Sequence, residues 1–276
     1  MNENTRLEDN GDGDGKIIVF ASAKGGVGKT ITSVNIATSL ATKGYSTCIL
    51  DGSFQFGDVN LALDLKPNLT ISDLIQDIKV INNGSISNYL LSHNSGVKVL
   101  SAPAKPEYAD LINSEGILSV VNSLIKEFSY LIIDLAAGLT EHNVTFMELS
   151  NKIYIITDLE MASLKNTKMM IKTLKQLGLA DKIIVVVNRG NMESVIKFKD
   201  VYSILEIEDI LSIPNDFKIV SKSFNMGIPF VLSKPDEKIS REITFIVNKI
   251  CDKKLSNRVK RRKKSGFFNF VRFSKA

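Results

Sequence analysis

Short runs of β-branched and aliphatic residues alternate with longer segments of helical periodicity along most of this chain. The short runs are apolar nearly throughout, as strands buried on both faces of a sheet are. We predict strands at 17–22, 46–50, 97–102, 130–134, 152–158, 182–188 and 208–214. We predict helices at 29–43, 114–127, 141–150, 161–177, 193–203, 216–226 and 237–250. This alternation indicates an α/β fold, with a doubly wound, mainly parallel sheet between two helical layers.

The pattern indicates one domain, residues 16–254, without an internal repeat. Residues 1–15 are acidic and rich in Gly and Asp, so we expect a flexible lead that buries little apolar surface. Segment 52–97 is less regular and has a short helix expected near 71–78; we interpret it as an excursion from the sheet. Residues 255–276 form a tail of different composition, basic and aromatic.

The net charge of +5 belongs to this tail. The chain has 35 Lys and Arg against 30 Asp and Glu, and eight of the basic residues but no acidic one lie in 255–276. The remainder therefore has 27 basic against 30 acidic residues, or about −3, and is mildly acidic.

No segment predicts export or membrane insertion. The amino terminus lacks the basic start and apolar run of a secretory signal, and no stretch approaches the roughly 18 to 20 apolar residues of a membrane span. The two cysteines, Cys48 and Cys251, lie far apart in apolar segments, which is typical of small buried side chains. We therefore expect a cytoplasmic protein.

A glycine-rich loop between the first predicted strand and the first helix has the composition of a phosphate site. Its glycines let backbone N–H groups point at phosphate oxygens, and the helix terminus adds partial positive charge. Lys29 would reach the β- and γ-phosphates and Thr30 would place its hydroxyl on Mg²⁺. A turn without a ligand is the alternative, which the Gly-Lys-Thr ending disfavours. The remaining candidate residues for ATP are Gly25, Gly26, Val27, Gly28 and Ile31.

Two acidic residues end predicted strands and are candidates for the same metal. Asp134 is followed by Leu-Ala-Ala-Gly138, so its carboxylate would hold Mg²⁺ through water while Gly138 lets backbone approach the γ-phosphate. A strand-end Asp that caps the next turn is the alternative. Asp51, at the end of the second strand, is the weaker candidate.

Lys24 adds a second lysine to the loop, at a position where the common form of the loop has no fixed charge. With it the loop resembles the MinD/ParA family of P-loop ATPases, in which this lysine is the signature of the deviant Walker A motif. The resemblance implies catalytic roles for Lys24, Lys29 and Asp134, and an ATP-dependent homodimer in which Lys24 reaches the partner's nucleotide. Such a contact makes binding energy depend on dimerisation. A solvated surface lysine is the alternative.

The resemblance also places the base of the nucleotide. Asn188 and Arg189 follow one predicted strand, and Pro214, Asn215 and Asp216 follow the next, at the sheet edge where open α/β folds bind ligands. By resemblance Asn188 and 214–216 frame the adenine. The chemistry of these residues alone indicates only polar turns.

Three further stretches resemble the CpaE/TadZ branch, which localises the assembly of Tad (Flp) pili and type II/IV secretion systems. They are Gln55-Phe56-Gly57-Asp58-Val59-Asn60-Leu61, residues 101–107 and residues 163–166. That branch often has an amino-terminal receiver-like domain, for which the 15 residues here leave no room. The implied partner is a pilus, secretion or flagellar component, since MinD itself and the flagellar-number regulator FlhG are rival assignments.

Other classes fit less well. A ParA-like DNA-segregation protein would need a basic stripe on the folded body, so the acidic body makes nucleic acid an unexpected partner. A nitrogenase-reductase-like enzyme would need paired cluster cysteines. His93 and His142 predict neither a metal site nor an acid–base pair.

Residues 258–273 of the tail combine five consecutive basic residues, 260–264, with four phenylalanines. Read as a helix, the segment places Phe267, Phe270 and Val271 on one face, which predicts binding to an anionic membrane surface and a peripheral position at the inner face of the cell membrane. A solvated or protein-docking tail and a tail that binds nucleic acid are the alternatives.

The sequence predicts slow hydrolysis. Members of the family usually carry Asp-x-Asp after the second strand, and the second carboxylate orients the attacking water; here the residues are Asp51-Gly52-Ser53. Groups that position or deprotonate water contribute about 10²- to 10⁴-fold in rate. Ser53→Asp should therefore raise steady-state phosphate release by about 10²-fold or more. Equal turnover of wild type and S53D would contradict this prediction.

Overall fold

The computed structural model describes residues 15–78 and 86–252, and these form a mostly parallel sheet between two helical layers. The strands are β1 Lys16–Ser22, β2 Thr47–Gly52, β3 Leu90–Ser92, β4 Lys98–Leu100, β5 Tyr130–Ala137, β6 Lys152–Thr157, β7 Ile183–Val187 and β8 Ile210–Ser212. The eight strands lie in the order β3-β4-β2-β5-β1-β6-β7-β8. Neighbouring strands are parallel except for β3 and β4. The predicted fold class is confirmed.

The helices divide between the two faces of the sheet. Their bounds are α1 Lys29–Thr42, α2 Val59–Ala62, α3 Ile71–Asp77, α4 Ser114–Glu127, α5 Glu141–Leu149, α6 Met161–Gln176, α7 Val201–Leu205, α8 Phe217–Met226, α9 Phe230–Ser233 and α10 Lys238–Cys251. Helices α3 to α7 pack on one face, and α1, α2 and α8 to α10 pack on the other.

The central strand shows why the apolar runs are continuous. Val19 and Ala21 of β1 pack into the core under α3 to α7, whereas Ile18 and Phe20 pack into the core under α1 and α10. Successive side chains of a strand point to opposite faces, so a strand covered on both sides needs apolar residues at every position. Full burial of a Val, Ile or Phe side chain contributes roughly 1.5 to 3 kcal/mol.

Several predicted elements need correction. The helix expected at 193–203 is wrong over its first half, where a single 3-10 turn at Phe198–Asp200 leads into α7. Local hydrogen bonds hold the preceding residues in turns instead, since Ser194 Oγ accepts from Ile196 N and Asp200 Oδ2 accepts from Lys197 N. The segment 52–97 is more than an excursion, since Leu90–Ser92 pairs antiparallel with β4 at the sheet edge. The short helices α2 and α9 were not predicted, and the last strand is shorter than expected.

The terminal segments fall outside this description. The predicted tail and all but one residue of the predicted lead lie in 1–14 and 253–276. Within the described ranges, no helix is both long enough and apolar enough to span a bilayer.

Candidate functional site

The sheet order brings the predicted loop and both acidic residues together. The loop 23–28 leaves the carboxyl end of β1, which lies between β5 and β6, and β2 pairs with the other side of β5. The register sets Asp134 beside Phe20 on one side and beside Asp51 on the other. The chain passes from β1 to β2 on one side of the sheet and later adds β6, β7 and β8 on the other side, so the loop stands at the carboxyl edge where open α/β sheets bind ligands.

The loop has the shape of an anion cradle. Gly26 and Gly28 have φ of +75° and +89°, a region that side chains disfavour. A Cβ on Gly28 would also lie 2.2 Å from Nδ2 of Asn188, whereas a Cβ on Gly25 or Gly26 would meet no described atom within 4 Å. Helix α1 begins at Lys29 without a side-chain cap, which leaves its first N–H groups for a ligand. These features fit a phosphate chain.

Asp134 is the centre of the site. Its carboxylate is fully buried and accepts hydrogen bonds from Thr30 Oγ1 at 2.7 Å and Ser33 Oγ at 3.0 Å. Lys29 Nζ lies 3.2 Å from Asp134 Oδ1, and its side chain is only 10% exposed. Carboxylate and hydroxyl oxygens are the donors that Mg²⁺ prefers, so Thr30 and Asp134 fit a magnesium site beside the cradle.

Asp51 is equally buried but has different hydrogen-bond partners, and its role at the metal stays a prediction. Its two oxygens accept hydrogen bonds from the backbone N–H groups of Ser53 and Val59, both at 3.1 Å. Burial and the negative charge of Asp134 raise the pKa of Asp51 to about 7. A Cβ on Gly57 would lie 2.3 Å from Asp51 Oδ2, so the loop after β2 closes tightly on this carboxyl. The structure thus brings Asp51 next to Asp134 and makes it the anchor of that loop.

Gly138 lies in the loop after β5, as predicted. It has φ of +93°, its N–H donates to Ser22 O at 2.8 Å, and an added Cβ would meet no described atom within 4 Å. Asn143 of α5 donates from Nδ2 to the carbonyls of Ala136 and Gly138, and Thr140 caps the helix through Asn143 N. This loop is therefore fastened to the start of α5.

Asn188 and Arg189 also reach the cradle, although their contacts go to its backbone. Asn188 donates from Nδ2 to Val27 O at 2.8 Å and accepts from Arg189 N at 2.9 Å. Arg189 has φ of +56° and donates from Nη2 to Gly26 O at 3.4 Å. Both residues brace the loop. Val27 and Ile31 are buried and support it by packing.

Residues 214–216 lie farther along the same edge. Asn215 N donates to Asn191 Oδ1 at 2.6 Å, and Asp216 Oδ1 accepts from Ile219 N at 3.0 Å as the cap of α8. Their contacts account for the turn and helix start that the residue chemistry indicated. The role at the adenine stays a prediction.

Lys24 forms an ion pair with Glu160, the residue before α6, and both side chains face solvent, 41% and 61% exposed. The hydrogen bond between them raises the pKa of Lys24 and lowers that of Glu160. Sequence reasoning missed Glu160, as it missed Ser33. The signal for Glu160 was available, since an acidic residue follows β6 at the same sheet edge as Asp51 and Asp134.

His142 is part of the packing around the loop after β2. Its ring meets the ring of Phe54 edge-on at 5.4 Å, and its Nε2 lies 2.8 Å from Ile112 O. Phe54 follows Ser53 directly and also packs near Phe146 of α5. Among the described residues, no three His, Cys, Asp or Glu gather as a metal-binding group.

Asp51 makes the stability of the metal-free protein depend on pH. The folded chain keeps the proton of this carboxyl up to about pH 7, whereas the unfolded chain releases it near 3.8. The unfolded state therefore binds fewer protons in this window, and the free energy of unfolding should fall as pH rises through it. The free energy of unfolding, measured with urea at several pH values, should change less with pH in Asp51→Asn than in wild type. Asp236→Asn, which changes an exposed carboxylate, is the matched control. An equal pH dependence of the unfolding free energy in wild type and D51N would refute the raised pKa of Asp51.

Comparison with known proteins places this geometry in a family. A family model described as an AAA domain matches residues 15–186, more than half of the chain. The septum site-determining protein MinD of Synechocystis sp. is 29% identical over 90% of this chain and 98% of its own length.

Several solved structures have a similar fold. The cell division ATPase MinD of Pyrococcus furiosus is 26% identical, with a TM-score of 0.75 over 86% of this chain and 98% of that one. MinD of Pyrococcus horikoshii, solved with Mg-ADP, is 23% identical with a TM-score of 0.75 over 86% and 96%. A ParA family ATPase from Chlorobium tepidum has a TM-score of 0.79 over 85% and 98%, and its 19% identity shows the fold alone. From the family match, the fold and the loop geometry together, the chain belongs to the MinD/ParA family of P-loop ATPases.

Proposed function

We propose that this protein binds ATP with Mg²⁺, dimerises in that state, and thereby positions or regulates a machine of the cell envelope. Lys29 and the N–H groups of 25–28 would hold the phosphates, and Thr30 and Asp134 would hold the metal. The observation that carries the proposal is the opposite placement of two lysines in one loop. Lys29 is 10% exposed and faces Asp134, whereas Lys24 is 41% exposed and faces outward.

The outward lysine is held weakly enough to change partners. An exposed ion pair such as Lys24 with Glu160 contributes little to stability, because water screens both charges. A phosphate offers the same lysine a more highly charged acceptor, in a site from which a second protomer would exclude water. Lys24 would therefore leave Glu160 for the nucleotide of a partner copy, and its binding energy would be available only in the dimer.

Apolar side chains near the same edge support dimerisation. Leu61 of α2 is 58% exposed, and Phe56, in the loop before it, is 79% exposed. Helix α2 packs against α8, where Phe217 and Met226 are 73% and 52% exposed. Large exposed apolar groups on adjoining elements mark surfaces that a protein partner covers.

Among the machines, we favour Tad pilus or type II/IV secretion assembly, as in the CpaE/TadZ branch. The branch-like stretch 55–61 forms the loop that closes on Asp51 and the first three residues of α2, next to the proposed dimer surface. With Ser53 beside Asp51, the protein would act as a binder with slow turnover. The second candidate is a regulator of the division site or of flagellar number, which the likeness to septum site-determining MinD supports.

A DNA-segregation role is less favoured, although the folded body is not acidic over its whole surface. Four exposed lysines lie at 165, 168, 172 and 175 on α6, so an acidic body does carry a local basic row. Lys168 pairs with Glu206, and Lys175 donates to the carbonyl of the same residue. Glu206 reduces the charge of this row, which weakens it as a site for nucleic acid.

We also propose limits for the domain and for the two segments that flank it. Residues 16–254 would form the ATPase domain, with 1–15 as a lead and 255–276 as a tail. The charge and phenylalanines of 258–273 support peripheral membrane binding by a protein that works inside the cell.

Lys24→Ala should separate dimerisation from nucleotide binding. Calorimetry should show ATP bound within about tenfold of wild type, because Lys29 and the loop backbone remain, whereas size-exclusion with ATP should show loss of the dimer. Lys29→Ala should lose both. Glu160→Gln is the matched control, since it frees Lys24 and should keep the dimer. An ATP-dependent dimer of the K24A variant, or the absence of any ATP binding by wild type, would contradict the proposal.

Co-sedimentation with vesicles tests the membrane assignment. The full chain should pellet with anionic vesicles and a truncation after Lys254 should not, since each basic residue near such a surface contributes about 1 kcal/mol. Neutral vesicles are the control. Equal pelleting of both proteins with anionic vesicles would exclude the tail as the membrane anchor.

A further inference from the structure

A groove runs between α4 and α5 on the face of the sheet opposite α10. It has a volume of about 680 Å³ and is lined by Ser114, Glu115, Leu118, Glu141, Val144, Thr145, Glu148 and Leu149. Leu118 is 43% exposed although it lies on a helix whose other aliphatic residues are mostly buried. The size suits one or two large apolar side chains.

The rim of the groove is acidic. Glu115 lies in the first turn of α4. Glu141 is the first residue of α5 and Glu148 is the last but one, two turns farther along on the same side. All three side chains are exposed, and within the described ranges none forms a salt bridge. Glu141 accepts a long hydrogen bond from Ser114 Oγ at 3.3 Å, which ties the two helices together at one end of the groove. Lys182 Nζ donates to the carbonyl of Glu148 at 2.7 Å and reduces the negative charge at that end. The surface thus offers an apolar floor with three glutamates on its rim, and the charge is strongest at Glu115 and Glu141.

The tail of the same chain has the complementary chemistry. Residues 258–273 contain seven Lys and Arg, no Asp or Glu, and four phenylalanines. Phenylalanines would fill the floor at Leu118 and Val144, and lysines and arginines would meet the glutamates. In solution, away from any membrane, these phenylalanines would otherwise be exposed to water.

The tail is also long enough to reach the groove. The described chain ends at Asp252, after α10, on the other face of the sheet. Helices are about 10 Å thick, so the path around the sheet edge to the opposite layer is on the order of 30 Å. The fifteen residues after Asp252, 253–267, reach about 50 Å when extended. Docking therefore needs no movement of the folded domain.

We propose that residues 258–273 dock in the α4–α5 groove of their own chain and are sheltered there when no membrane is bound. The same phenylalanines cannot occupy the groove and a lipid surface together, so the two states exclude each other. This inference concerns the tail alone and does not depend on ATP binding.

Photo-crosslinking of the full chain tests the proposal directly. Benzoylphenylalanine replaces Phe270, and the cross-linked peptides are mapped by mass spectrometry in a mixture of isotopically light and heavy protein. Cross-links should join position 270 to 114–118 or 141–149 within one molecule. The triple variant E115Q/E141Q/E148Q should lower their yield about three- to tenfold, because it removes the charges and keeps the side-chain shapes.

Two further variants complete the test. E107Q/E193Q/E208Q removes three exposed charges elsewhere and should leave the yield unchanged. Replacing 260–264 by glutamine in the tail should lower the yield as the groove variant does, without any change in the folded domain. The proposal would be overturned by cross-links to other parts of the surface or by cross-links between light and heavy copies. It would also be overturned if the cross-link yield were unchanged in both charge variants. ATP calorimetry on the same proteins shows separately whether the nucleotide site is intact.

Discussion

A single buried carboxylate organises the site of this protein. Asp134 has no exposed surface, and a buried charge must be paired and hydrogen-bonded to be tolerated. Its three side-chain partners, Lys29, Thr30 and Ser33, all come from the first turn and a half of α1. The carboxylate therefore fixes where the helix begins, and with it the direction of the N–H groups in the cradle. Loss of one charged partner would leave the other uncompensated, at a cost of about 3 to 5 kcal/mol.

Pairs of like residues acquire different functions from their surroundings. Asp51 and Asp134 are neighbours across β2 and β5, yet Asp134 has a lysine beside it whereas Asp51 binds only backbone N–H groups, and burial raises its pKa. The lysines differ in the same way, since Lys29 turns inward and Lys24 pairs with Glu160 in solvent. The Lys29–Asp134 pair is buried in the site, whereas the Lys24–Glu160 pair is exposed to solvent.

The elements around the site connect it to two surfaces. The loop after β2 packs through Phe54 on His142 of α5, and the loop after β5 is fastened to α5 through Asn143. Helix α5 carries the acidic side of the groove, while α2 carries the exposed apolar residues beside α8. The proposed dimer surface thus adjoins the loop that Asp51 holds in place, and the proposed tail-docking groove adjoins the loop that Asn143 fastens to α5.

The sequence by itself determined the alternation of strands and helices, the cradle with Lys29 and Thr30, and Asp134 as its acidic partner, because periodicity and loop chemistry are local properties. It gave the wrong start for α7 and omitted the edge strand Leu90–Ser92, where local hydrogen bonds and pairing with β4 outweighed the short-range pattern. The pairing of Glu160 with Lys24, the hydrogen bond of Ser33 to Asp134 and the contact of Asn188 with the loop were decided only by the tertiary structure. Each depends on which strands lie side by side, and residues more than a hundred positions apart meet through the sheet order alone.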